Sequence, residues 1–527
     1  MKLSKYIGFS GLALAVMIGA SSCKKSYLDT KPTDQVAYED VFTTTQGARS
    51  VVNGMHRILY SYASTTKFGM PSINLMYDLM GEDLGMTDYN WFYEEASYIS
   101  SRGGDGHPWG VYYTVINNAN FVLKHIDAAS GEEYEKNELK GQAYAMRGWA
   151  YLQLIQTYQF AYNSPQYVVA NGSATVGVVT NGAPISEALG VPIYTTPGQV
   201  ANPRSSLREV VDQINADFTQ AENFLKDPNI ESRATDKSQV NIDVLYGLKA
   251  RAALYQQDWA DAAKYAKLAR TSYPLSDVID LNSGFNDIRS REWIWGSKIN
   301  QEANGIYGSF MSHMDPKVGG YAETCMKAIG RWLWLGSTTD PFAKRLDSSD
   351  YRITWWIPLS GSKPAQSPFN NWDRGAQRKF SSIKPSSFLA DYPLMRSAEM
   401  YLIEAEGLAM GGNPTGAQTV LQEFMDTRNS AFDATTYNTK DKLVNEIWRQ
   451  RRLELWGEGF RLFDAKRQMA RLPSDITPLV AIDRSVNGHW NGNVYSDNKT
   501  IQSGSPLLNF RIPGSEITQN VGCVQNP

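Results

Sequence analysis

The 527-residue sequence predicts a mostly α-helical protein, a scaffold of antiparallel helical hairpins carrying a loop-rich region with small strands that forms a binding face. Three observations predict it. Across residues 244–274, Ala250, Ala253, Trp259, Ala262, Ala266, Ala269 and Pro274 follow the small-small-aromatic-small-small-small-Pro spacing of a tetratricopeptide unit, in which small side chains let two helices interlock. Ala405, Leu408, Pro414, Ala417, Leu421 and Phe424 repeat those offsets over 401–424. Between and beyond the two copies lies other material, rich in Gly and aromatic residues, which makes this a decorated scaffold and not a regular solenoid.

The third observation is residues 446–467, EIWRQRRLELWGEGFRLFDAKR, in which ten of twenty-two residues are charged. Signs alternate at mostly i,i+3 spacing: Glu446 with Arg449, Arg451 with Glu454, Glu458 with Arg461, Arg461 with Asp464, and Asp464 with Lys466 or Arg467. Ile447, Trp448, Leu453, Leu455, Trp456, Phe460, Leu462 and Phe463 recur at helical intervals, and Gly457-Glu458-Gly459 marks a turn between two helices. Arginines in so apolar a setting require carboxylate partners, so the stretch is expected to be a structural ion-pair hinge, with Trp448 and Trp456 in the core.

From the N-terminus, Lys2 and Lys5 precede an apolar run over 7–20, then Ala20, Ser21, Ser22 and Cys23. This reads as an export signal, and its end resembles a bacterial lipobox, in which Cys23 is lipidated and becomes the mature first residue; an ordinary cleaved signal peptide is the alternative. The expected organisation is a signal peptide (1–22), a lipid-anchored tether (23–44), an N-terminal helical part (45–274), a loop-rich insertion (275–390), and a C-terminal helical part with its tail (391–527). Helices are expected over 45–60, 109–126, 132–158 and from a cap at Ser205 or Ser206 to Leu225. Residues 78–107, acidic, aromatic and Gly-rich, read mainly as a long ordered loop, and 163–202 as an irregular excursion. Within the insertion, 292–299 (EWIWGSKI) is a strand candidate.

Several classes are excluded or disfavoured. A net charge of −3 lacks the concentrated basic face that phosphate binding demands. The chain lacks GxSxG, HExxH and GxxxxGK[ST] motifs, and its five histidines are scattered, so no catalysis, metal or cofactor is expected. A glycosidase needs two carboxylates across a cleft, and nothing singles out such a pair, with Glu82 or Asp83 and Asp340 the only candidates imagined. Cys325 and Cys523 are compatible with a disulfide in an exported chain and establish none.

The set of motifs resembles the SusD/RagB family of outer-membrane nutrient-binding lipoproteins of Bacteroidetes. The carriers are Ser22-Cys23 followed by Tyr27-Leu28-Asp29, QAYAMR at 142–147, RSAEMYLIEAE at 396–406, the 446–467 stretch, similar to the family's "ERRRELxxEGxRxFDxxR" signature, and IPGSEITQNVGCVQNP at 512–527. The resemblance implies a helical scaffold with a loop-rich ligand face, no catalysis, and a place at the cell exterior as the lid of a SusC-like TonB-dependent transporter. Ligands across that family are mostly glycans, with peptides in some branches. Lys24 and Lys25 stand where the family often has an acidic run after the lipidated cysteine.

A sugar site needs flat rings to cover pyranose C–H faces and polar groups to bind hydroxyls. Two stretches supply both: Asp83, Tyr89, Asn90, Trp91 and Tyr93 in one, and Tyr307, Tyr321, Arg331, Trp332 and Trp334 in the other. These ten are the candidate ligand-binding residues, and oligosaccharide is the expected ligand. A peptide in the same role, a surface hydrolase and an adhesin are the alternatives.

Overall fold

The computed structural model describes residues 38–85, 91–98, 106–170, 176–180, 185–230, 236–299, 309–315, 348–356, 377–384, 387–483 and 500–527. Helix α1 (Thr45–Ile58) begins where the Thr44 hydroxyl accepts from the Gly47 N–H, and buries Ala48, Val52 and Met55. Helix α2 (Met70–Leu79) is buried along its whole length. Two long helices, α3 (His107–His125) and α4 (Glu133–Tyr158), form the antiparallel pair expected from the sequence. Helix α5 (Leu207–Leu225) starts in a reciprocal capping box between Ser206 and Glu209 and packs on α4, where Arg147 forks onto Asp217 at 2.9 and 2.6 Å.

The first tetratricopeptide-like unit is α6 (Ile242–Gln256) and α7 (Trp259–Arg270), which meet through buried Ala250, Ala253, Ala262, Ala266 and Ala269. The second is α8 (Ser397–Met410) and α9 (Pro414–Asp426). They are neighbours in space although far apart in sequence, because α8 packs directly on α7. Gly407 permits the approach: a Cβ there would stand 2.7 Å from the Trp259 carbonyl oxygen and 2.8 Å from the Ala263 nitrogen. Helix α10 (Lys440–Glu454) closes this end, with Leu443, Val444, Ile447 and Trp448 joining Ala417, Leu421 and Phe424 in a second apolar core. Helix α11 (Arg461–Gln468) follows the Gly-Glu-Gly turn.

Strands are short and paired. The stretch 163–202 is more ordered than its composition suggests: β1 (Gln166–Ala170) and β2 (Val176–Thr180) form an antiparallel hairpin, Gln166 opposite Thr180. The candidate at 292–299 is β3 (Trp293–Ser297), paired with β4 (Tyr392–Arg396) in a two-stranded sheet buried on both faces. Strands β5 (Ala481–Asp483) and β6 (Thr500–Gln502) pair near the C-terminus. Among the described residues no helix is long and apolar enough to cross a membrane.

The Gly-Glu-Gly turn has a steric reason for its glycines. Gly457 and Gly459 adopt φ of 81° and 87°, and a Cβ on Gly459 would lie 2.4 Å from Asn74 Cγ. Gly459→Ala is therefore expected to destabilise the protein by about 2 kcal/mol or more in urea denaturation, through left-handed strain and collision with α2 together.

Candidate functional site

The charged stretch folds into a buried clamp whose partners are mostly distant in sequence. Two of the expected local pairs form, Glu446 with Arg449 and Asp464 with Arg467. The others are replaced. Arg451 binds Asp464 at 3.0 Å instead of Glu454, Arg461 binds Glu82 at 2.6 and 3.0 Å instead of Glu458 or Asp464, and Arg467 also reaches Glu406 on α8. The i,i+3 rule describes exposed helix surfaces, where the neighbouring turn is the nearest partner. Here α10 and α11 are surrounded by protein, so partners converge from every side.

At the centre is Glu454, fully buried at the C-terminal end of α10. Arg428 donates to it at 2.9 and 3.0 Å, Arg396 at 3.0 Å and Arg352 at 3.3 Å. Arg396 and Arg428 also share Glu292, beside β3; Arg396 forks onto Glu458 at 2.6 and 2.9 Å; Arg352 pairs with Asp350. Lys379 spends its three N–H groups on Glu458 and on the Glu454 and Trp456 carbonyls, at 2.6, 2.7 and 2.8 Å. Four cations thus meet four carboxylates. Burial opposes the charge on Glu454, but Arg428, Arg396 and Arg352 outweigh it and hold its pKa well below the usual carboxylate value. Burial pushes Lys379 down to about 8.

A second group joins α10 and α11 to the segment after α2. Arg452 forks onto Asp83 at 2.9 and 2.5 Å, and Asp78 accepts from the Gly459 and Arg461 backbone N–H groups at 2.9 and 3.1 Å. Burial pushes Asp78 up to about 7, with those two N–H groups opposing. Between the halves lies a cavity of about 60 Å³, where the Phe460 ring is flanked by the Arg251 and Arg451 guanidiniums at 5.1 and 5.6 Å.

The candidate ligand residues divide as follows. Asp83, expected beside the ligand, is in the clamp with its carboxylate committed to Arg452; Glu82, half of the imagined glycosidase pair, is likewise committed to Arg461. The stretch 78–107 is therefore not one loop: its start is core, and Tyr93–Ala96 forms a helical turn. Trp91 is half-buried against the main core. The backbone of Tyr93 opens the helical turn. Tyr89, Asn90, Tyr307, Tyr321, Arg331, Trp332 and Trp334 lie outside the described residues, as do Cys23, Cys325 and Asp340; Cys523 is buried.

What the structure does bring together is the footing of the two aromatic stretches. Phe92, next to Trp91, places its ring 5.4 Å from that of His313, in the helical turn Phe310–Met314, and both touch Phe68. Phe310 in turn packs on Tyr392 of β4 and on Phe380, at 4.8 and 5.1 Å. No spacing in the sequence signals this cluster, since its members come from separate segments, Phe68 and Phe92 on one side and Phe310, His313, Phe380 and Tyr392 more than two hundred residues further on. Among the described residues no group of three or more His, Cys, Asp or Glu is placed to hold a metal.

Two family models match the chain: one described as "Starch-binding associating with outer membrane" over residues 26–251, and one described as "SusD family" over 360–527, together roughly three-quarters of the sequence. A curated relative, SusD-like protein P38 of Formosa agariphila, is 22% identical over 511 residues, covering 89% of this chain and 92% of its own. Among solved structures, a SusD-like carbohydrate binding protein from Bacteroides vulgatus superposes with a TM-score of 0.69 at 24% identity, covering 91% of this chain and 97% of that one. A second, a putative sugar binding protein from the same species, gives 0.66 at 21%, covering 92% and 98%. These structures share the mostly helical fold.

Two outcomes follow from the clamp. Glu454→Gln, which leaves three buried guanidiniums short of charge, is expected to cost about 3–5 kcal/mol of unfolding free energy. Asp78 retains its proton in the folded chain up to pH about 7 but loses it near 4 when unfolded, so its contribution to stability falls as pH rises between those values and levels off above them. Asp78→Asn removes that decline; comparing melting temperatures of variant and parent between pH 5 and 8 should show the difference shifting in favour of the variant as pH rises.

Proposed function

The chain belongs to the SusD/RagB family, and on that premise we propose that it is a cell-surface lipoprotein that captures an oligosaccharide without chemistry and delivers it to a SusC-like TonB-dependent transporter in the outer membrane. The observation that carries the reading is the division of the molecule: the charged residues of the clamp are consumed in pairing within the scaffold, whereas Phe92 and the Phe310–Met314 turn, each next in sequence to one of the aromatic stretches, meet in one cluster. One matching family is starch-binding and one structural neighbour is a carbohydrate binding protein, and family members are outer-membrane lipoproteins, anchored in this chain through Cys23. The ligand residues proposed are Trp91 and Tyr93 from the first stretch, with Tyr89 and Asn90, and Tyr307, Tyr321, Arg331, Trp332 and Trp334 from the second. Rings in such a site cover the apolar faces of pyranoses while amide and guanidinium groups take the hydroxyls.

A non-catalytic role agrees with the carboxylates. Glu82 and Asp83, the two acids weighed for hydrolysis on the side of the first stretch, are held by Arg461 and Arg452, which leaves neither carboxylate free to serve as the acid or base that hydrolysis would need. Delivery to a transporter follows from the family and is tested by its partner.

Isothermal titration against a panel of oligosaccharides and peptides decides the ligand class: an oligosaccharide is expected to bind unchanged, tight peptide binding with no sugar response would overturn the sugar reading, and sugar products would reveal an enzyme. Trp91→Ala should weaken sugar binding roughly tenfold, a loss of about 1.4 kcal/mol, with melting temperature unchanged. Native pull-down from the outer membrane is expected to recover a TonB-dependent transporter, and recovery of the lipoprotein alone would sink the delivery role.

A further inference from the structure

We propose that His313 is a positioning residue for the 91–98 segment: by stacking on Phe68 and meeting Phe92 edge-on, it fixes the backbone on which Trp91 is presented. The proposal deepens the reading of Trp91 as a ligand-contacting ring and rests on that reading for its functional consequence.

The first observation is strain. Phe92 and Tyr98 both adopt left-handed backbone conformations, φ 57° and 50°, which for bulky L-residues cost on the order of 1–3 kcal/mol each and persist only where surroundings over-determine them. They bracket the helical turn Tyr93–Ala96. Tyr98 is tied to the end of α2 through its hydroxyl, which donates to the Met80 carbonyl. Phe92 has no such tether; its ring is buried between Phe68, 6.3 Å away at 83°, and His313, 5.4 Å away at 71°.

The second observation is the chemistry of position 313. The imidazole lies nearly parallel to Phe68, 5.4 Å away at 16°, and its Nε2 is 2.8 Å from the Thr65 carbonyl oxygen. A carbonyl only accepts, so Nε2 carries the proton. Burial pushes the pKa of the ring down to about 4, which keeps it neutral, as a ring stacked among aromatics must be. One side chain thus satisfies a backbone carbonyl and completes an aromatic cluster, and neither Phe nor Gln does both. The turn that carries it is itself footed on β4 through Phe310 and Tyr392. His313 therefore links three chain segments, the α1–α2 connection, 91–98 and 309–315, and passes the rigidity of β4 to the neighbour of Trp91.

The test is hydrogen exchange by mass spectrometry on the full mature chain, comparing His313→Ala, His313→Phe and His313→Gln. Amides of 91–98 are expected to exchange about tenfold faster in the Ala variant, the equivalent of one lost aromatic contact. The Phe variant, which retains the ring, should return most of that protection; the Gln variant, which retains a donor for Thr65, should not. Unchanged exchange at 91–98 in the Ala variant, no rescue by Phe, or equal loosening of α9 and α10 would overturn the proposal. Affinity for the panel oligosaccharide that the parent binds should follow the same order, parent and Phe above Gln and Ala. If the parent binds no sugar, the functional reading falls while the exchange result still decides whether His313 positions the segment.

Discussion

Glu454 is the constraint on which the rest of the structure depends. A carboxylate without access to water survives only if its charge and lone pairs are matched, and three arginines from three separate parts of the chain, Arg352, Arg396 and Arg428, supply the match. Each of those arginines then needs a second acid, which recruits Asp350, Glu292 and Glu458. Because four cations meet four carboxylates, the cluster is neutral only when all its members are in place. Apolar side chains would fill the same space with as much or more stability, but they would tolerate many packings, whereas forked guanidinium bonds permit few. The cluster selects one way of joining α8, α9 and α10 to β3, β4 and the stems of the insertion.

From there a line of rigid contacts runs to the proposed ligand face. Arg396 ends β4 and Tyr392 begins it, so one short strand has its last residue in the clamp and its first against Phe310. The Tyr392 hydroxyl also accepts from Asn74 of α2, the helix that Gly459 approaches closely from the Gly-Glu-Gly turn. Other stems are set in the same way: Trp356 pairs with Gln377 across a β-bridge, next to Lys379, and Asp350 pairs with Asn429, next to Arg352 and Arg428.

How much of this was legible in the sequence depends on the range of the interaction. Helices were legible because their causes are local: the cap at Ser206, the small-residue spacing from Ala250 to Ala269, and the long pair ending at Tyr158 all lie within one or two turns of what they determine. The need of the 446–467 arginines for acids was legible as well, since apolar neighbours foretell burial. The identity of those acids was not. Glu82, Asp83 and Glu406 are hundreds or tens of residues away, and no periodicity links them to Arg452, Arg461 or Arg467. Asp83 was misplaced for the same reason: beside Tyr89 and Trp91 in sequence it resembled a ligand group, yet Arg452, 369 residues on, holds it. The Phe68–Phe92–His313 cluster failed to show in the sequence because its three rings come from three unrelated segments.

This separation of ranges explains why identifying the family leaves the ligand open. The residues that carry the resemblance, 396–406 and 446–467 above all, are the clamp and its helices, and their chemistry is spent internally: Glu399 on Arg251, Glu404 on Arg270, Glu406 on Arg467 and Trp448. A sequence signature made of paired charges reports a fold, because each residue in it answers to another residue of the same chain. A binding face answers to a molecule outside it. Its rings are constrained by the chain only where they touch the scaffold, as Phe92 does fully and the half-buried Trp91 in part, and at Trp91 the proposed ligand would meet the surface that the protein leaves uncovered.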